Sequence, residues 1–207
     1  MTSHRLPPIP FLEVPHRPHV KSREMTLIAA VQDDDSVLVA ADSLKQWPTE
    51  GYGRPGDKLR RLGQSVIWGY SGWGSADVAF RQHLGDRTFH TWDQLEYHVR
   101  QAAELLAEQY YKDGGFGVLF AGVLDGELCI KVYGIHDLPE PEGCHFLGTN
   151  RLHASIAWKV ASDLEPERSA SERFKIVMSR VVEASHPYLG PPVKMWRVTS
   201  TGCAEVA

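Results

Sequence analysis

Short apolar runs joined in pairs by tight polar turns dominate this chain from Thr26 onward, and such pairs commit a chain to antiparallel sheet. Thr26–Val31 and Ser36–Ala41 flank the polar turn Gln32–Asp35. Asp57–Leu62 and Ser65–Tyr70 form a second pair after a loop rich in proline and glycine. Phe116–Val123 and Glu127–Tyr133 form a third around Asp125-Gly126, a dipeptide suited to a two-residue hairpin turn. Between the second and third pairs the period becomes helical, over Ala76–Leu84 and Thr91–Tyr111. The longer helix carries Leu95, Val99, Ala102, Leu105 and Leu106 as an apolar stripe suited to a core or a subunit interface, and Thr91 and Gln94 have capping-box spacing at its start. Leu152–Leu164 and Ser171–Ala184 are two more helices, and Val193–Ser200 is the last strand. This is an α+β order. Two antiparallel sheets, covered by helices on both outer faces, satisfy it.

Residues 1–25 are different in kind. Pro7, Pro8, Pro10, Pro15 and Pro18 crowd a segment without periodicity, and proline removes the donors that helices and ladders need. The segment reads as a disordered arm, a propeptide, or sequence upstream of the true start, ahead of one domain over 26–207. A length of 207 residues suits a single domain with a sizeable core. The formal net charge of −4 gives no basic field for nucleic acid. The apolar runs are too short for a bilayer-spanning helix, and no signal-peptide core is visible. Three cysteines, Cys129, Cys144 and Cys203, lack framework spacing and read as free thiols of a reducing cytoplasm. The ten histidines show no ligand pattern, and Asp33-Asp34-Asp35 reads as a solvated turn, so neither metal nor cofactor is expected.

Thr26, Asp42 and Lys58 sit at the ends of the first three strands, where neighbouring strands bring side chains together. A threonine hydroxyl needs a base. If Thr26 is the first residue, its own α-amine serves, with an ordinary pKa of about 7.7–8.0. A nearby Lys58 ammonium lowers the pKa of both amine and hydroxyl, and Asp42 holds that ammonium in place. The Gly72 backbone N–H, in the turn Ser71-Gly72-Trp73-Gly74-Ser75, is placed to bind an oxyanion.

The segments Thr26-Leu-Ile-Ala-Ala-Val31, Val37-Leu-Val-Ala-Ala-Asp42-Ser43, Lys58 and Gly69-Tyr-Ser-Gly72-Trp-Gly-Ser-Ala76 resemble proteasome β subunits and the bacterial HslV-type peptidase. The resemblance implies a four-layer αββα sandwich, the N-terminal-nucleophile hydrolase fold. It implies a threonine peptidase acting on peptides or unfolded proteins inside a homo-oligomeric ring in the cytoplasm. Catalytic roles then fall on Thr26, Asp42, Lys58 and Gly72, and substrate contacts on Lys45, Tyr70 and Gly74. Without a nucleotide-binding loop in this chain, energy-driven unfolding requires a separate ATPase unfoldase.

The match fades towards the C-terminus. In the turn Gly148-Thr149-Asn150, Thr149 stands nearest to the family's serine. In Ser185-His-Pro-Tyr-Leu-Gly-Pro-Pro192, His186 occupies the position of the family's aspartate and Leu189 that of its serine. Thr149 and His186 are the accessory candidates. Met25 directly precedes Thr26, so translation starting at Met25 followed by removal of that methionine, or removal of residues 1–25, frees the amine; retention leaves it an amide. Two rivals fit the same features: a catalytically inactive proteasome-like structural subunit, and an N-terminal-nucleophile amidohydrolase acting on a small amide.

Overall fold

The computed structural model describes residues 26–46, 53–72, 74–85, 87–110, 117–134, 143–148, 150–185 and 189–206. The first expected hairpin forms from β1 (Leu27–Asp33) and β2 (Ser36–Ala41), paired antiparallel from Ile28↔Ala41 to Asp33↔Ser36. Two short strands follow, β3 (Leu44–Gln46) and β4 (Gly53–Pro55), which pair with each other. The second hairpin is β5 (Leu59–Leu62) and β6 (Val66–Ser71), and the third is β7 (Gly117–Leu124) and β8 (Glu127–Gly134). These four make one sheet in the order β5-β6-β7-β8.

The other sheet depends on two strands that periodicity does not reveal. β9 (Cys144–Gly148) pairs with β1, and the expected last strand, β10 (Lys194–Thr199), is followed by a hairpin partner, β11 (Gly202–Val206). The order is β11-β10-β2-β1-β9, so β1 and β2 lie inside the sheet. The last expected strand is therefore not the last. β3 and β4 likewise occupy part of what the breakers mark as loop, with Pro55 on a two-stranded ribbon where its missing donor is tolerated.

Among the described residues four helices complete the fold: α1 (Gly74–Leu84), α2 (Trp92–Tyr110), α3 (Arg151–Leu164) and α4 (Ala170–Ala184). The α2 start uses the expected cap in modified form. Thr91 Oγ1 accepts from the Gln94 amide at 3.3 Å, while the Gln94 side chain accepts from the amide of His90, not from that of Thr91. α4 carries a complete capping box between Ser169 and Glu172 that the sequence reading passed over.

Among the described residues, buried side chains fall into three clusters. Leu27, Ala29, Val31, Leu38 and Ala40 join Trp158 of α3 with Phe174 and Met178 of α4. Trp68, Val118 and Phe120 join Phe80 of α1 with Leu95, Val99 and Ala102 of α2. In the third, Ile28, Ala30, Val37 and Val39 of one sheet meet Ile67, Leu119 and Ala121 of the other. Alternate residues of β1 and β2 thus bury opposite faces, which is why both read as unbroken apolar runs. Cys129, Cys144 and Cys203 are not joined in disulfides, and burial pushes the thiols of Cys129 and Cys203 up from their ordinary pKa.

Candidate active site

The carboxylate of Asp42 is the hub. β2 ends at Ala41, and the β1–β2 register sets Asp42 opposite Leu27. The Asp42 amide donates to the Leu27 carbonyl at 3.1 Å, and the Leu27 amide donates to Asp42 Oδ1 at 2.9 Å. Lys58 Nζ donates to both carboxylate oxygens, at 2.8 and 3.0 Å. Oδ2 also accepts from the amides of Leu44 at 3.2 Å and Gly190 at 3.4 Å. Asp42 is 1% exposed and Lys58 7%. Burying such charges costs several kcal/mol per ion unless contacts of this kind replace water, and here one ammonium and three backbone donors share one carboxylate.

Lys58 reaches the hub because β6 permits it. Leu59 of β5 lies opposite Gly69 of β6. A Cβ at Gly69 would stand 2.8 Å from Ile28 Cδ1 and 3.1 Å from the Lys58 carbonyl oxygen. Only a residue without a side chain lets the start of β5 approach β1 this closely.

Thr26 immediately precedes β1 and is 2% exposed. Its neighbour Leu27 pairs with Gly148, the last residue of β9. Gly148 has φ +99°, and a Cβ there would lie 1.9 Å from the Thr26 carbonyl oxygen and 2.6 Å from Ser71 Oγ. β1, β6 and β9 therefore converge on the Thr26 backbone. Gly72 follows Ser71 with φ +132°, at the turn that leads to Gly74, the first residue of α1. Substituting Gly148 with alanine is expected to lower stability by about 3 kcal/mol or more, combining left-handed strain with overpacking against backbone that no rotamer change relieves. Gly126→Ala is the control: φ there is +75°, but nothing lies within 4 Å of its added methyl. Urea unfolding of both variants measures the difference, and equal losses would refute the clash.

A further loop closes the hub from the far end of the chain. Besides the Gly190 amide on Asp42, the Ser43 amide donates to the Gly190 carbonyl at 2.9 Å, and Ser43 Oγ donates to the Pro192 carbonyl. Gly190 packs tightly on Leu44, leaving no room for a side chain. Ser43, Ser71, Gly148 and Gly190 are the site residues that sequence reasoning missed. A glycine flanked by Leu189 and Pro191 was the available signal for Gly190.

Lys45 lies in β3, with its side chain outside the described residues, as are Thr149 and His186 altogether. Tyr70 packs against the cluster formed with α1 and α2, whereas Ser71, next along β6, lies beside Gly148 and Thr26. Leu189 is fully buried in the cluster beneath α3 and α4 and offers no hydroxyl. Among the described residues no group of three or more His, Cys, Asp or Glu is placed to hold a metal ion, and no helix is long and apolar enough to cross a membrane.

Comparison with solved structures gives a counterpart to the fold. The crystal structure of eukaryotic HslV from Trypanosoma brucei superposes with a TM-score of 0.59, over 84% of this chain and 99% of that one. The fold is HslV-like. Identity over the match is 16%, a level at which the two chains share architecture. No family profile and no curated protein matches the sequence.

Proposed function

We propose that this chain is an N-terminal threonine peptidase that cuts peptides or unfolded proteins inside a homo-oligomeric ring, with Thr26 as nucleophile after loss of residues 1–25. The observation that carries this reading is the shared carboxylate oxygen: Asp42 Oδ1 accepts from both Lys58 Nζ and the amide that follows Thr26. An anchored cation is thereby held beside the start of β1. The HslV-like fold supports the same reading, and the three core clusters support a four-layer αββα ordering, α3 and α4 outside one sheet, α1 and α2 outside the other.

In the proposed reaction the free α-amine of Thr26 takes the hydroxyl proton as Oγ1 attacks the scissile carbonyl carbon. The Lys58 charge favours the neutral amine and the developing alkoxide. The Gly72 N–H receives the oxyanion of the tetrahedral intermediate. The ammonium then protonates the leaving amine, an ester forms on Thr26, and water hydrolyses it by the same proton route. Lys45, Tyr70 and Gly74 line the substrate side in this proposal, and Thr149 and His186 remain accessory candidates. Delivery of unfolded chains falls to a separate ATPase, and the cytoplasm is the expected compartment.

An epoxyketone peptide tests the reading, because its ring-forming adduct requires both a hydroxyl and a free amine on one residue. Untagged protein is first examined by N-terminal sequencing and intact mass. Chains that begin at Thr26 are expected to gain one probe mass on Thr26. Chains that begin at Thr26 and take up no probe would sink the proposal and favour an inactive subunit.

A further inference from the structure

Among the described residues seven polar or charged side chains are buried, and five of them are committed to the fold. Asp42 and Lys58 hold each other. Ser36 Oγ donates to the Asp33 carbonyl at 3.1 Å, Ser171 Oγ to the Asp33 carboxylate, and Ser43 Oγ to the Pro192 carbonyl. The remaining two are Thr26 and Ser71, whose hydroxyls bond to no other described residue. A buried hydroxyl without a partner is costly and rare, and it calls for a role outside the fold.

Strand alternation turns these two residues towards each other. Along β6, Trp68 packs under α1 and α2, while Ile67 faces the other sheet. Gly69 keeps that inner register, since a Cβ there would stand 2.8 Å from Ile28 Cδ1. Ser71 is the next residue on the same face. Along β1, Ile28 and Ala30 face inward, and the same period carries Thr26 inward one step before the strand begins. The two segments meet at Gly148. The point where its Cβ would stand is 2.6 Å from Ser71 Oγ, 1.9 Å from the Thr26 carbonyl oxygen and 3.0 Å from the Thr26 carbonyl carbon. Only a residue without a side chain lets the Ser71 hydroxyl and the Thr26 backbone crowd one spot in this way.

We infer that Ser71 is a positioning residue for the nucleophile, acting through Thr26 and not on the substrate; this rests on the reading of Thr26 proposed above. A serine hydroxyl offers one donor and two acceptor sites. When the α-amine takes the Thr26 hydroxyl proton, an ammonium and a developing alkoxide arise on the same residue. Ser71 Oγ accepts from that ammonium, and its O–H donates towards Oγ1. Both contacts strengthen as charge separates, so they lower the barrier without tightening substrate binding. The Lys58 ammonium works in the opposite sense on the amine, favouring its neutral form. Ser71 thus offsets part of the penalty that Lys58 places on the protonated amine, while both groups favour the alkoxide.

Peptide turnover by chains verified to begin at Thr26 tests the inference, with Ser71→Ala and Ser71→Cys compared with wild type across pH. Ser71→Ala is expected to lower kcat about 10- to 100-fold, the usual range for losing one hydrogen bond to a charged group, with KM unchanged. Losing an acceptor for the ammonium lowers the amine pKa, so the acid limb of kcat/KM should move to lower pH. Ser71→Cys refills the space with a weak donor and should be as slow as Ser71→Ala, whereas a packing role would be restored by it. Both variants should keep the wild-type melting curve, because the Ser71 hydroxyl bonds to no described residue. An active wild type with a folded Ser71→Ala of unchanged kcat overturns the inference and leaves Thr26 as nucleophile. So does a loss confined to KM, a Ser71→Cys variant that recovers turnover, or failure of both variants to fold. Wild-type chains with a free Thr26 that neither turn over peptide nor take up the epoxyketone overturn the nucleophile, and this inference with it.

Discussion

Asp42→Ala is expected to destabilise the fold by about 3–5 kcal/mol, the usual consequence of removing one partner from a buried ion pair. Several losses combine. The Lys58 ammonium, 7% exposed, gives up both of its carboxylate contacts. The amides of Leu27, Leu44 and Gly190 lose an acceptor in the same step. These donors come from β1, from β3 and from the loop after α4, so the damage is not confined to one hairpin. For a domain of this size a loss of that order lowers the melting temperature by roughly 10 °C. Asp42→Asn should fall between, because the carboxamide keeps the shape and one acceptor oxygen while presenting an N–H₂ to surrounding donors. Adding Lys58→Met to Asp42→Ala should recover part of the loss by removing a buried charge that no longer faces its carboxylate. Thermal and urea unfolding of the three variants decide it. An Asp42→Ala protein within about 1 kcal/mol of wild type would mean that the pair is solvated and that the hub described above does not hold the fold.

The same hub explains what was legible from sequence and what was not. β1 and β2 are buried on both faces, so their composition alone announces them, and the turn between them is local. Asp42 directly follows β2 and Lys58 directly precedes β5, so both stand at strand ends that composition marks, which is why their spacing carried information. β9 has five residues, Cys-His-Phe-Leu-Gly, too few to establish a period, and its place beside β1 is set by pairing with a distant strand. β11 is short and half-exposed, and its alternation is weak. The Gly190 donor is 148 positions from Asp42. Nothing local links them, and the contact exists only because β10 returns beside β2. Gly148 is a similar case. Its left-handed backbone and its closeness to Thr26 come from three strands meeting, whereas from sequence it is one more turn glycine. Tyr70 packs against the cluster formed with α1 and α2, because strand alternation sends neighbouring side chains of β6 to opposite faces.

Thr26→Ala is expected to lower peptide turnover by about 10⁴-fold or more while the protein stays folded and assembled. The magnitude follows from the proposed role, since a covalent route cannot proceed without the hydroxyl that forms the ester. The stability expectation follows from the site. Alanine removes a hydroxyl and one methyl from a residue whose structural contribution is largely its backbone, packed beneath Gly148 and followed by the Leu27 amide that binds Asp42. A change of that size costs about 1–2 kcal/mol at most. Thr26→Ser separates chemistry from packing: it keeps the hydroxyl and loses only the methyl, so it should retain measurable turnover and form the epoxyketone adduct. The comparison requires chains that all begin at residue 26, verified by intact mass, since a retained Met25 would convert the amine to an amide and silence wild type and variant alike. If a folded Thr26→Ala protein turns over peptide at the wild-type rate, the nucleophile lies elsewhere. If wild type and Thr26→Ala are equally inert with a free N-terminus, the Asp42–Lys58 pair serves the fold alone, and the chain is a structural member of its assembly.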